Sequence, residues 1–205
     1  QLVELEGVHP ETRNAVNVTR AVFKDLGAKV IDVSIPMIEL AGPMYIAICD
    51  SDAADYHEDL MRSRHKEYDV ATRTRLLAAS LLPASMYHLA QRARELLRLR
   101  MLNTLETVDV LVSPVTAEPA LPIKEVSRVV DSEDDVRARI FGARALTTPY
   151  NLAGLPAISI PCGFTTDGLP IGLQIGGRAF DEATIIRVSY AYEQATRWHK
   201  QRPSI

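Results

Sequence analysis

Covalent catalysis needs an activated nucleophile, and one apolar run of this chain, Ala157-Ile158-Ser159-Ile160-Pro161-Cys162, carries two side chains of the right type. Ser159 offers a hydroxyl and Cys162 a thiol, yet neither has a histidine or lysine close in sequence to activate it. Both read as structural residues, with activation by a spatial neighbour left open. A second concentration of reactive groups, Asp50, Asp52, Asp55, His57, Glu58 and His65, suggests metal ligation. But His57 and Glu58 are adjacent, adjacent helical residues do not share a face, and no H-E-x-x-H spacing occurs. A solvated helix face accounts for the cluster, and no metal is expected. Arg92, Arg94, Arg98 and Arg100 read either as an anion-binding stripe or, with Glu95 among them, as a solvated charged face. His9, His88 and His199 stand isolated, as capping, packing or surface residues.

Two features of composition narrow the field further. The net charge of −3 in 205 residues supplies no general attraction to phosphate backbones or anionic lipid, so neither nucleic acid nor membrane is expected as a direct partner. Cys49 and Cys162 lie far apart without metal-ligand spacing, which fits a reduced, cytoplasmic compartment. The longest apolar neighbourhood, around Ala41 to Cys49, is broken by Gly42 and Pro43 and is too short to span a bilayer. No Gly-x-Ser-x-Gly elbow, P-loop or dinucleotide fingerprint is present, and no cofactor is implied.

The elements that must position these groups follow from periodicity. Pro10 and Glu11 open a helix with Ala15, Val18, Val22 and Leu26 on its apolar face, ended by Gly27. Lys29 to Ile35 alternates as a strand and stops at Pro36. Ile38 to about Arg64 turns helical, with a kink expected at Gly42-Pro43. A short helix is predicted within Tyr68 to Ala79, and a long one from about Ala84 to Leu105 with a core stripe of Met86, Leu89, Ala93, Leu97 and Met101. Asp109 to Ser113 suits an internal parallel strand buried on both faces. A proline-studded loop follows it, then a polar segment at 127–135 and a helix near 136–146. Thr148-Pro149-Tyr150-Asn151 reads as a turn, 157–161 and 169–175 as a strand hairpin about Thr165 to Gly168, and Asp181 as the N-cap of a last helix. Together these give an α/β fold in which a mixed sheet is flanked by helices.

From Thr147 to Gly177 the chain reads TTPYNLAGLPAISIPCGFTTDGLPIGLQIGG, with six of its ten glycines. This stretch resembles the C-terminal half of the amidase signature family, including the NLAGLPAISIPCGF run, the D-G-L-P turn, GLQIGG and the following Phe180-Asp181-Glu182-Ala183-Thr184 helix start. Weaker similarity reaches back to Val8-His9-Pro10-Glu11-Thr12-Arg13. The resemblance implies the C-terminal part of an amidase signature fold, and hydrolysis of amides by a serine nucleophile, a second, bridging serine and a lysine base. The two serines sit in or beside a Gly/Ser-rich run in the family. No such run occurs here, and Lys24, Lys29, Lys66, Lys124 and Lys200 lie near no Ser-Gly cluster. Residues 1–205 are therefore expected to be the C-terminal portion of an amidase domain, without the catalytic N-terminal half, holding no catalytic residue and inactive alone. A free-standing binding module is the alternative. As an amidase portion, the chain is expected to partner a small-molecule amide in the complete protein, the missing half, and a second copy as a homodimer.

Residues for the substrate follow from position and from the resemblance. Ligands of open α/β sheets bind beyond the carboxyl ends of strands, which makes Ser113 and Thr116 pocket-wall candidates, with a rigid connector as the alternative. Thr147, Thr148 and Arg144 are expected beside them. The resemblance implies that the A chain of the tRNA-dependent amidotransferase carries an acid a few positions before its N-L-A-G run, suited to the ammonium of glutamine. Arg144 stands there instead; a cation repels that ammonium and accepts a carboxylate or carbonyl oxygen. A general amidase is the expectation that follows, with a surface role for Arg144 as the alternative.

Overall fold

The computed structural model describes Leu2, residues 7–121 and residues 146–203. Three strands, β1 (Leu111–Pro114), β2 (Ala157–Phe164) and β3 (Pro170–Gly176), form an antiparallel sheet in the order β1-β3-β2. The α/β class and the sheet flanked by helices hold. Two details differ from expectation: every described pairing is antiparallel rather than mixed, and 29–35 joins no ladder of this sheet. Along it Ile35 is buried, Val30 and Val33 are half-buried against the cores, and Ile31 is exposed.

β2 and β3 make the expected hairpin, closed by Gly168 in the left-handed region at φ 79°, which a β-carbon would strain. The register shifts between Pro161 and Gly163, so Cys162 is the extra residue of a bulge and the strand continues to Phe164. β1 is an antiparallel edge strand, with Val112 36% exposed, and not the internal parallel strand that its apolar run suggested.

One face of the sheet is covered by α1 (Pro10–Asp25) and the last helix, Glu182–Ala195. The core there joins Val16 and Phe23 to Ile160, Cys162, Ile171, Leu173, Ile175, Ile185 and Tyr192. α1 turns inward Thr12, Val16, Thr19 and Phe23, whereas the expected face leaves Val18 and Leu26 exposed. Thr19 is tolerated inside because its hydroxyl donates to the Val16 carbonyl at 2.7 Å. The last helix follows expectation, with Asp181 accepting from the Thr184 amide at 3.3 Å.

The opposite face is covered by residues 38–56, the long helix Ala84–Thr107 and a short helix Thr148–Ala153. In chain order the helices after α1 are α2 (Ala41–Tyr45), α3 (Ser51–Tyr56), α4 (Glu58–Arg64), α5 (Val70–Ala79), α6 (Ala84–Thr107), α7 (Thr148–Ala153) and α8 (Glu182–Ala195). Between α2 and α3 the backbone runs as a π-helix, Ile46–Asp50, the irregularity lying just beyond the anticipated Gly42-Pro43. Asp50, buried at its end, receives Arg75 of α5 through both guanidinium arms, Nε lying 2.9 Å from Oδ2. α6 buries Ala90, Leu97, Met101 and Leu105; Met86 and Leu89, expected in its stripe, are exposed. Arg178, just after β3, closes the end of α6 by donating to the carbonyls of Leu105 at 2.9 Å and Val108 at 3.0 Å. Thr148 to Asn151, expected as a turn, instead starts α7: Pro149 is compatible with a first helical turn and Gly154 ends it in the left-handed conformation. The segment 127–135, the helix near 136–146 up to residue 145, and Arg144 lie outside the described residues. No helix among the described residues is long and apolar enough to cross a membrane.

Candidate functional site

Antiparallel register places Ser113, Gln174 and Ser159 side by side in one row across the three strands, all on the face turned toward α6 and α7. Gln174 is buried at the centre of that row. Its Nε2 donates to Ser113 Oγ at 3.1 Å and to the Leu146 carbonyl at 2.8 Å. That bridge ties the end of β1 to the residue before Thr147 and Thr148. Tyr150, on the first turn of α7, lies against Gly176: a β-carbon built there would meet the tyrosine ring at 1.9 Å, so only glycine admits it. Its phenol reaches Ser113, while burial pushes its pKa well up, opposed by that hydrogen bond. Ser113 therefore collects the amide of Gln174 and the hydroxyl of Tyr150 in a core that is 2% to 5% exposed.

The expected site residues divide accordingly. Ser113 and Thr148 are buried beside this node and Thr147 is half-buried at the N-cap of α7. Thr116 stands apart, exposed, with its hydroxyl donating to the Glu118 carbonyl at 2.9 Å. Gln174 and Tyr150 are not among the sequence candidates, although a lone glutamine inside the apolar strand Pro170–Gly176 signals a side chain with a buried partner.

Chemically, this node holds geometry and does not move protons at neutral pH. It contains a hydroxyl, a carboxamide and a phenol kept protonated by its surroundings. The nucleophile candidates on β2 are no better placed. Burial pushes the Cys162 thiol up to about 12, and Ser159 is exposed, with no hydrogen bond to a lysine or histidine among the described residues. Three of the four arginines of the α6 stripe are engaged within the chain: Arg94 reaches Gln91, Arg98 reaches Glu95, and Arg100 donates to the Pro36 carbonyl. His57 Nδ1 lies 2.8 Å from the Tyr68 hydroxyl, and among the described residues no group of three His, Cys, Asp or Glu is placed to hold a metal ion.

Residues 2–186 match the family model described as Amidase. The chain is 35% identical to the A chain of a glutamyl-tRNA(Gln) amidotransferase of Oceanobacillus iheyensis, over 98% of its own length and 44% of that protein's. It is 34% identical to an amidase of Pseudomonas putida, covering 97% of the chain and 42% of the relative. A crystal structure of an amidase superposes with a TM-score of 0.80 at 28% identity, over 92% of this chain and 42% of that one. The chain thus spans under half the length of the relatives it matches. A match that runs through α1, the three strands and into α8 shows that the chain belongs to the amidase family, the amidase signature enzymes.

Proposed function

We propose that the chain is the C-terminal portion of an amidase that hydrolyses carboxylic amides by a Ser-Ser-Lys mechanism, and that it contributes sheet core and substrate funnel while the remainder carries the chemistry. The observation that supports this is the family match over residues 2–186 in a chain whose two candidate nucleophiles meet no activating lysine or histidine among the described residues, the Cys162 thiol being held protonated by burial. Acyl transfer needs an activated nucleophile and an oxyanion site, and the node around Ser113 supplies neither. Ser113, Thr147, Thr148 and Thr116, with Arg144, would form the wall of the funnel, the Gln174 bridge fixing the first three relative to one another.

Two substrate readings follow from relatives of similar identity, 34% for the Pseudomonas amidase and 35% for the Oceanobacillus amidotransferase subunit. A cation at Arg144 supports a general amidase, since it repels the ammonium of glutamine. Glutamine hydrolysis, within a tRNA-dependent amidotransferase, is the second reading, supported by the names of several relatives. The test is hydrolysis of a simple aryl amide by this chain alone and by the chain joined to the N-terminal portion of a family relative. No turnover alone and turnover when joined is the expected result; nucleophile-dependent turnover by the chain alone overturns it. In the joined protein, Arg144→Asp shifts preference among acidic, neutral and basic amides, and unchanged selectivity removes Arg144 from the funnel.

A further inference from the structure

Beyond amide hydrolysis, we infer that the outer stripe of α6 is a self-complementary docking surface for a second copy of this chain, two α6 helices pairing antiparallel about a two-fold axis between Arg92 and Ala93. Helical spacing divides α6 into two seams. Ala90, Leu97, Met101 and Leu105 turn inward, whereas Met86, Leu89, Leu96 and Leu99 lie outside, each 46% to 51% exposed, with half-buried Ala93 among them. Met86, Leu89, Ala93 and Leu96 keep the alternating three-and-four spacing by which one helix packs along another. From Met86 to Leu99 the stripe is about 20 Å long. Asn103, next on the same face, is polar and exposed and ends it.

The order of residues along the stripe decides what covers it. A two-fold interface uses one surface twice, so each side chain must suit the residue that the symmetry sets against it. With the axis between Arg92 and Ala93, Met86 faces Leu99 of the second copy, Leu89 faces Leu96, and the long Arg92 lies over the small Ala93. Every leucine and methionine of the stripe thereby meets a leucine or a methionine. The charges agree as well. His88, Arg92 and Glu95, spaced four and three apart, run along one flank, and the antiparallel register seats Glu95 of each copy between His88 and Arg92 of the other. Both groups are available for this. Arg92 meets no acceptor among the described residues, and Glu95 holds Arg98 only at 3.4 Å on the exposed surface. A parallel pair would instead set Arg92 against Arg92 and Glu95 against Glu95, which repel. An unrelated partner surface would require none of this symmetry.

Sedimentation of the chain over a range of concentrations tests the pairing, with circular dichroism as the check that each variant folds. A monomer–dimer equilibrium is expected. Leu96→Glu, at a half-exposed position and present twice in a two-fold interface, should raise the dissociation constant at least about tenfold. Arg92→Glu should weaken the dimer too, and Arg92→Glu combined with Glu95→Arg should restore it, because exchanging the two charges keeps their attraction. Direction is read by cross-linking. In a Cys49→Ser background, Leu89→Cys and Leu96→Cys proteins should form a disulfide with each other under oxidation more readily than either does with itself. A dimer indifferent to Leu96→Glu overturns the inference, as does a charge exchange that fails to restore association or a preference of Leu89→Cys for itself. The same sedimentation is run on the chain joined to the N-terminal portion of a family relative. Dimers there that Leu96→Glu dissociates support the seam; a joined protein that stays monomeric shows that the remainder covers the stripe, and ends the inference. None of these readouts uses amide hydrolysis, so the amidase reading stands or falls separately.

Discussion

Gln174 carries two buried hydrogen bonds on one nitrogen, which makes it the most sensitive polar residue of the node. Gln174→Leu strands the Leu146 carbonyl and removes a partner from Ser113, and should cost about 2 kcal/mol in urea unfolding; a loss within error would show that solvent reaches these groups. The cysteines should separate by reactivity. With Cys162 near 12, about one molecule in ten thousand carries the thiolate at pH 8, so iodoacetamide should label half-exposed Cys49 first, although burial raises that thiol too. Glu11 gives a pH signature. Its carboxylate accepts from the Thr166 amide at 2.9 Å, and that bond holds its pKa below the ordinary value. A depressed folded-state pKa means that its stabilisation is complete above the unfolded-state carboxylate range and is lost as pH falls through the lower folded value. Glu11→Gln should flatten that part of the acid limb of the stability profile, and an unaltered limb would count against the bond in solution. None of these three roles is a matter of residue type. Gln174, Glu11 and Cys162 are ordinary letters whose environment is made by partners 28 to 155 positions away or by burial, and only the oddity of a glutamine inside an apolar strand is legible in the sequence.

At the scale of elements, local signals are legible where propensity and burial agree. Asp181 capping α8, the Gly168 turn and the β2–β3 hairpin all come through, because caps and tight turns are decided within a few residues. Two failures share one cause, which is tertiary override. Apolar periodicity points the face of α1 to Val18 and Leu26, yet Thr12 and Thr19, the latter with its hydroxyl donating to the Val16 carbonyl, occupy the inside; α7 reads as a turn because Pro149 and its polar residues hide a helix held by packing of Tyr150 on Gly176. β1 reads as parallel because an apolar run does not state strand direction. The Tyr150 contact yields a direct test: Gly176→Ala should cost at least about 2 kcal/mol, since the ring cannot withdraw without opening the node, and near-neutral stability would mean that α7 shifts freely.

For the whole molecule, the expectation is that the chain alone self-associates. Val112 on the β1 edge, and Met86, Leu89, Leu96 and Leu99 on α6, are exposed apolar surface, so sedimentation should show dimers or larger species; a clean monomer at micromolar concentration would oppose it. Ser113 and Leu146 meet only through Gln174 of β3, a meeting that periodicity along the chain does not state. The bond between Glu11 and the Thr166 amide, 155 residues apart, has a consequence in time. The core under α1 is completed by β2, β3 and α8, so this helix, once synthesised, waits for residues well over a hundred positions later before it has a surface to bury against. Folding of this chain is therefore dominated by long-range closure and should be slow. Until the hairpin emerges, Val16 and Phe23 are without their core, and nascent chains stopped before Phe164 should be held by chaperones while those extended past Ala195 are released.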